Sequence, residues 1–442
     1  MKKNKTLQVL DAILLWAALC LVAAIPLFFW PRPLSTSYPL VWIYLLPKTV
    51  LLRLGLIGLE SAAAILLLIH LVFAVRERRL SVKIGWADLS MVVFIGLLWV
   101  STMHSLNRGQ ALYGSRYWLE GFYTYLNYAA LFFIARIFGN CRSLIKLAYI
   151  LTITTIFISL YAIAETFYPA IQAFTNVGLT GRSGATAGNA VILGAYMLMP
   201  LALIGGLLAQ RIFKGFWAGL AGAALWLGAP AVFFTYSRGS WISLALVGFV
   251  LMMRIRSLGI AWTRKQQRAA AVLLLIAIAI MAVGPRPPQT VVARAFSAFN
   301  PSEPSIRTRL AAWGQAGRLI PKYPLWGTGI DNFAKGGDKP HNFFLEVLVT
   351  MGIPAFAAFM AWLILVSYAG VKAVRSSGPG SEAIFSAMAA AGAYLLALCF
   401  LFSSINNAPL FYVILGLIAA AARDAGTLPT AGRNVDLSVF FR

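Results

Sequence analysis

The chain has 442 residues, 60% of them apolar and only 11% charged, with 37 lysines and arginines against 13 acids for a formal net charge of +24. Apolar runs of about twenty residues recur, each long enough to cross a hydrocarbon core of roughly 30 Å. Those runs lack the strict alternation of barrel strands, and backbone groups in lipid must bond within their own segment. The expected fold is therefore an all-α polytopic membrane protein, not a β-barrel.

In chain order the spans fall near 11–30, 49–75, 86–103, 123–138, 147–167, 188–209, 216–235, 241–257, 269–284, 353–371, 383–403 and 409–422. That is about twelve transmembrane helices. Lys2, Lys3 and Lys5, then Arg76, Arg78, Arg79 and Lys83, Arg142 and Lys146, Arg211 and Lys214, the cluster from Arg254 to Arg268, Lys372 and Arg375, and Arg423 occupy every second loop. The positive-inside rule puts those loops and both termini in the cytoplasm. The same residues, facing anionic phospholipid, account for more than half of the net charge, so nucleic acid is not implied. The first span is flanked like a signal peptide, but a Pro-rich loop and no small-residue cleavage site follows Trp30; an uncleaved anchor is expected. Cys20 and Cys399 fall inside spans and Cys141 in a cytoplasmic loop, so neither a disulfide nor a zinc site follows.

The division is then 1–284 as nine helices with short loops, 285–352 as a large, mostly helical outer cap, 353–422 as three more helices, and 423–442 as a cytoplasmic tail. Outer loops usually shed lysine and arginine, yet this one carries Arg286, Arg294, Arg307, Arg309, Arg318, Lys322, Lys335 and Lys339 against Glu303, Asp331, Asp338 and Glu346. Such a balance suits an anionic ligand. Within it, 305–320 reads as an amphipathic helix, with Ile306, Leu310, Trp313 and Ile320 near helical spacing, lying on the membrane or on other helices and ended by Pro321. The stretch 322–337 is glycine-rich, which permits close approach of backbone to a ligand. A helical pattern resumes after His341, at whose N-terminus aligned amide dipoles disfavour the imidazolium; a neutral imidazole is expected. Glu346 reads as a structural partner for a cap arginine.

Three outer motifs accompany this loop. T-Y-S-R-G-S-W carries Arg238 at the lip between the seventh and eighth spans, where it meets an anionic ligand or snorkels to headgroups. G-R-S-G-A-T-A-G-N carries Arg182, whose side chain and neighbouring amides could cradle phosphate; a flexible loop with a solvated arginine explains the same letters. Y-G-S-R-Y-W-L-E carries Arg116 in an aromatic setting equally typical of a membrane interface. His70, His104 and His341 cannot all meet, and no D-x-D or H-E-x-x-H string is present, so no metal site and no cofactor is expected.

The order of G-R-S-G-A-T-A-G-N, T-Y-S-R-G-S-W, R-L-A-A-W, P-L-W-G-T-G-I-D-N-F and H-N-F-F-L-E-V-L-V-T-M-G-I-P resembles that of the O-antigen ligases, with their relatives the O-antigen polymerases and bacterial O-oligosaccharyltransferases. The resemblance covers most of the chain and also implies a likeness to GT-C-type glycosyltransferases. Two departures are Pro340 before the histidine and Thr350-Met351 before the glycine. The resemblance implies that Arg238 and Arg309 hold phosphate, that His341 is catalytic, and that Arg182 is a further phosphate ligand. Arg116, Trp313 and Asn342 complete the candidate substrate-binding set. It also implies an undecaprenyl-diphosphate-linked O-antigen as donor and lipid A-core as acceptor, in the periplasmic leaflet of a Gram-negative inner membrane.

Guanidinium forks could replace the divalent cation of other glycosyltransferases, and a single displacement with His341 as base would invert the anomeric centre. A polymerase or a protein O-oligosaccharyltransferase would differ only in acceptor. A transporter is the alternative of a different class; Arg53 and Glu60, on one face of the second span, are the pair it would use.

Overall fold

The computed structural model describes residues 5–29, 44–76, 84–168, 181–260, 302–334, 339–376 and 380–428, together with 171, 264, 268, 271–272, 275–276, 278–279, 297, 300 and 378. Among the described residues the chain is all-helical, with no β-strand. The helices are α1 (Lys5–Ala24), α2 (Leu46–Arg76), α3 (Trp86–Met103), α4 (Arg108–Tyr113), α5 (Phe122–Phe138), α6 (Cys141–Phe167) and α7 (Ala190–Ala209). They continue with α8 (Gly215–Phe234), α9 (Arg238–Ser257), α10 (Pro304–Leu319), α11 (Phe343–Met351), α12 (Ile353–Arg375), α13 (Ser381–Leu398) and α14 (Ala408–Asp424).

Nine of these, α1 to α3, α6 to α9, α12 and α13, are long and apolar enough to cross a membrane. The expected spans at 123–138 and 409–422 correspond to α5 and α14, each of 17 residues. The expected span at 269–284 lies mostly outside the described residues. The observation is thus a polytopic membrane protein with nine full-length spans among the described residues, where the hydropathy pattern predicts about twelve. Helix starts also shift: α1 and α6 begin six residues before the apolar runs, α6 because Asn140 caps it by accepting from Ser143 N at 3.2 Å.

The core is built around α7, which packs on α6, α8, α9 and α13. Of its apolar window 83% is buried, against 17% for α9 among the described residues, so α7 is central and α9 peripheral. Small residues bring the helices close: a Cβ on Gly194 would stand 2.4 Å from Ser240 Oγ, so α7 meets α9 almost backbone to backbone. On the other side α14 packs on α5 and α12 on α3.

The two ends of the bundle differ in charge chemistry. At one end Arg136 pairs with Asp88 at 3.2 Å, and Arg423 donates to the carbonyls of Arg136, Ile137 and Gly139, closing the C-terminus of α5. Arg254 and Arg256 lie in the last turn of α9 and Lys372 and Arg375 in the last turn of α12, at this same end. At the other end the N-termini of α5, α7, α9, α12 and α14 meet the C-termini of α3, α6, α8 and α13, and there the cap helices α10 and α11 sit. Arg53 and Glu60 form no ion pair; Arg53 Nη2 instead reaches Tyr113 O at 3.4 Å.

Candidate active site

A cavity of ≈ 310 Å³ opens at the capped end, and Arg182, Arg238, Arg309 and His341 all line it. Four separate stretches of chain supply them. Each is held by local chemistry that can be traced to the sequence.

Arg238 is the first residue of α9, after the tight turn in which Tyr236 takes φ +48°. Ser237, Gly239 and Ser240 line the cavity with it. Its guanidinium does not project to a lipid surface: Nη1 donates to Ser297 Oγ at 2.8 Å, and Nη2 to Ser305 Oγ at 2.9 Å and Glu303 Oε2 at 3.4 Å. Glu303 is at once the N-cap of α10, accepting from Ile306 N at 3.1 Å and from Ser305 Oγ. Arg309 follows one turn on, beside Thr308 and Ser305 in the cavity wall.

The face that this cap helix packs against the protein is not its large apolar one. Ala312 and Ala316 are the buried residues of α10, packed with Phe333 and Val349, whereas Leu310 and Trp313 are exposed. The helix lies on small side chains because that lets it approach α11 closely. Trp313 is not in the cavity wall; its Nε1 donates to Pro340 O at 2.9 Å.

The loop 181–189 contributes Arg182 and Asn189 to the cavity, but its amides are turned to the protein. Ser183 N donates to Phe234 O at 3.0 Å, Ala185 N to Glu165 Oε2 at 2.8 Å, and Ala187 N to Gly184 O at 3.0 Å. Those three amides are therefore unavailable to phosphate, whereas the Arg182 side chain reaches the cavity wall, steadied by Nε donating to Thr235 O at 2.9 Å. Lys48, wholly buried, ties the loop down through Thr186 O and Asn406 Oδ1, both at 2.5 Å. Asn189 caps α7 by accepting from Val191 N at 2.9 Å.

The glycines of P-L-W-G-T-G likewise serve the chain itself. Gly329 has φ +98°, and a Cβ there would lie 2.1 Å from Ser105 Cβ; its amide donates to Thr350 O at 2.8 Å. Ser101 Oγ donates to Trp326 O at 2.6 Å, so the loop is pinned between α3 and α11. His104 stacks on Trp326 in this arrangement, away from the cavity.

His341 is in the cavity wall with φ +52°, and its ring lies 5.2 Å from that of Phe402. Asn342 is not a lining residue; it is the N-cap of α11, accepting from Leu345 N at 3.0 Å. Arg116 is exposed and also lies outside the cavity wall. The structure thus gathers four of the seven candidates, and shows Trp313 and Asn342 bonded to the backbone on either side of His341.

Sequence reasoning missed a buried charge cluster beneath His341. Lys339 Nζ lies 2.8 Å from Glu120 Oε2 and 2.9 Å from Glu346 Oε1, so Glu346 pairs with a lysine, not with a cap arginine. Tyr128 OH and Ser403 Oγ donate to Glu120 Oε1 at 2.8 and 3.0 Å. Burial alone would lower the Lys339 ammonium, but Glu120, Glu346 and Asp331 outweigh it and hold it protonated. Burial pushes Glu346 up to about 7, against the pull of Lys339. Burial also raises Asp331, although Ser115 N donates to it at 2.6 Å. The available signal was Lys339 itself, two positions before the histidine, indistinguishable in sequence from the solvated lysines around it.

Residues 223–360, from within α8 to within α12, match the family model described as O-Antigen ligase. Through this segment the chain is similar to the O-antigen ligase family. The matched stretch contains Arg238, Arg309 and His341, while Arg182 and Arg116 precede it. No curated protein matches the chain. The family match supports an enzyme of O-antigen ligase or polymerase type, glycosyltransferase-like in its chemistry and working on lipid-linked glycan at a membrane.

Proposed function

We propose that the protein is an O-antigen ligase that transfers glycan from an undecaprenyl-diphosphate-linked donor to a sugar of lipid A-core. The observation that carries this reading is the convergence of Arg182, Arg238, Arg309 and His341 on one cavity at one end of an apolar bundle. Three guanidinium groups on one concavity suit a diphosphate, and a single imidazole beside them suits one proton transfer. A volume of ≈ 310 Å³ is at the small end for ligand pockets, about 300–1,000 Å³, so it suits the reacting sugar and diphosphate while the polymer lies outside.

In this mechanism His341 accepts the proton of the acceptor hydroxyl as its oxygen forms a bond to the anomeric carbon. The bond from that carbon to the diphosphate oxygen breaks on the opposite face, and the leaving undecaprenyl diphosphate takes the electron pair. Arg238 and Arg309, with Arg182, hold the charge that develops on it, which requires no metal in this reading. One displacement inverts the anomeric centre. Because donor and acceptor are both membrane-anchored amphiphiles, the capped end faces the periplasm of a Gram-negative inner membrane, and both termini face the cytoplasm.

The test is a lipopolysaccharide gel, run beside extracted undecaprenyl-linked glycan, from cells lacking the protein and complemented with wild type or His341→Ala. Bare core, long polymer accumulating on the lipid carrier and no rescue by His341→Ala are expected. Cores bearing a single repeat would assign a polymerase instead, transfer to protein an O-oligosaccharyltransferase, and an unchanged ladder would refute the reading.

A further inference from the structure

His341 has a left-handed backbone, a conformation that a non-glycine residue keeps only when its surroundings impose it. Its neighbours in sequence are each fastened to a different element. Pro340 O is held by Trp313 of α10, and Asn342 is fixed at the N-terminus of α11. Lys339 reaches down between Glu120, just before α5, and Glu346 on α11, with all three side chains nearly inaccessible to solvent.

The same cluster also touches the imidazole's ring neighbour. Lys339 Nζ is 5.3 Å from the centre of the Phe402 ring and 5.6 Å from that of Trp118, and Phe402 packs on His341. Ser403, next in sequence to Phe402, donates to Glu120. One ammonium therefore fixes both the backbone leading into His341 and, through Glu120 and Ser403, the aromatic ring against which the imidazole rests.

We propose that Lys339, clamped between Glu120 and Glu346, is the positioning residue that sets the His341 imidazole in the cavity. It takes no proton and touches no substrate; it acts through His341. This rests on the reading of His341 as the base. A buried pair of this kind adds little net stability over apolar packing, whereas its fixed geometry matters where a reacting group must be held to within a fraction of an ångström.

The experiment measures kcat and donor KM for full-length protein in proteoliposomes, with undecaprenyl-diphosphate-linked glycan as donor and lipid A-core as acceptor. The variants are Lys339→Met/Glu120→Gln, Ser403→Ala and His341→Ala. The double variant removes one cation and one anion together, and Glu346, which burial already raises to about 7 against the pull of Lys339, is then left as the neutral acid and not as an unpaired charge. A kcat about ten-fold or more below wild type is expected for it, with unchanged donor KM and thermal midpoint. Ser403→Ala keeps every charge and loosens only Glu120; a smaller fall in kcat, again at constant KM, is expected. If the double variant does not fold, Ser403→Ala decides. Wild-type kcat in a folded double variant, or in Ser403→Ala, overturns the positioning role. Activity in His341→Ala would instead overturn the base reading beneath it, so the two failures are distinct.

Discussion

Arg238, in the cavity wall, and Glu303 stand 3.4 Å apart, joining the first turn of α9 to the N-cap of α10. The arginine proposed to bind diphosphate is therefore already opposed by a carboxylate, and an incoming phosphate would compete with Glu303 for the same guanidinium. Both side chains are mostly buried, so the contest takes place largely out of bulk water.

That contest makes the charge and the shape of Arg238 separable. Arg238→Lys keeps a cation beside Glu303 but removes the planar fork. The thermal midpoint should stay near wild type, while kcat in the reconstituted transfer assay should fall by about 10²–10³-fold, as when one donor to a developing oxyanion is removed. Wild-type kcat in the lysine variant would mean that Arg238 serves the cap and not the leaving group.

Arg309 and Arg116 are both arginines of the capped end, but only Arg309 lines the cavity. Arg309→Ala should reduce ligation at least as strongly as a lost phosphate contact, about 10²-fold or more. Arg116→Ala should leave it within about two-fold, in keeping with an exposed side chain whose substitution has small effects. Comparing the two in one complementation gel checks this; equal losses would return Arg116 to the site.

The contrast between these two arginines illustrates what the sequence makes legible. Arg182 and Arg238 stand out as polar residues at span ends against apolar runs, His341 as the imidazole of a basic outer loop, and Arg309 enters through the resemblance of its motif. The same reasoning cannot rank Arg116, since aromatic belts with arginine occur wherever a helix meets the interface. Nor does it reveal that Lys48 binds Asn406, or Lys339 binds Glu120, because pairings across hundreds of residues depend on which helices are neighbours. In the cap helix, periodicity weighs Leu310 and Trp313, while the contact buried within the protein is made by Ala312 and Ala316 and is invisible to a scan for large apolar residues. The fold class needs only span length and composition, and those are local.

The glycines of the pinned loop offer a structural prediction. Gly329→Ala would place a methyl 2.1 Å from Ser105 Cβ at a backbone angle that L-residues rarely adopt. Relief requires α3 and the loop to separate, which should lower stability by about 1–3 kcal/mol. Thermal unfolding of the detergent-solubilised protein would show it; an unchanged midpoint would mean that the loop is not held against α3.

The buried carboxyl of Glu346 predicts a pH dependence with a definite sign. Its folded-state pKa is raised by burial from 4.5 to about 7, so folding favours the protonated form. The stability associated with that proton is present in full below about 4.5 and is lost as pH rises through about 7. Lys339 faces it as a cation, Glu120 and Asp331 face it as carboxyls, and the lysine stays charged throughout this window. In Glu346→Gln the group no longer ionises and the Lys339–Glu120 pair remains neutral overall. Its thermal midpoint should therefore fall less than that of wild type between pH 5 and pH 8, and the two curves should converge or cross toward the alkaline end. Parallel curves across that range would show that Glu346 is ionised at every pH measured, with Lys339 strong enough to hold it so.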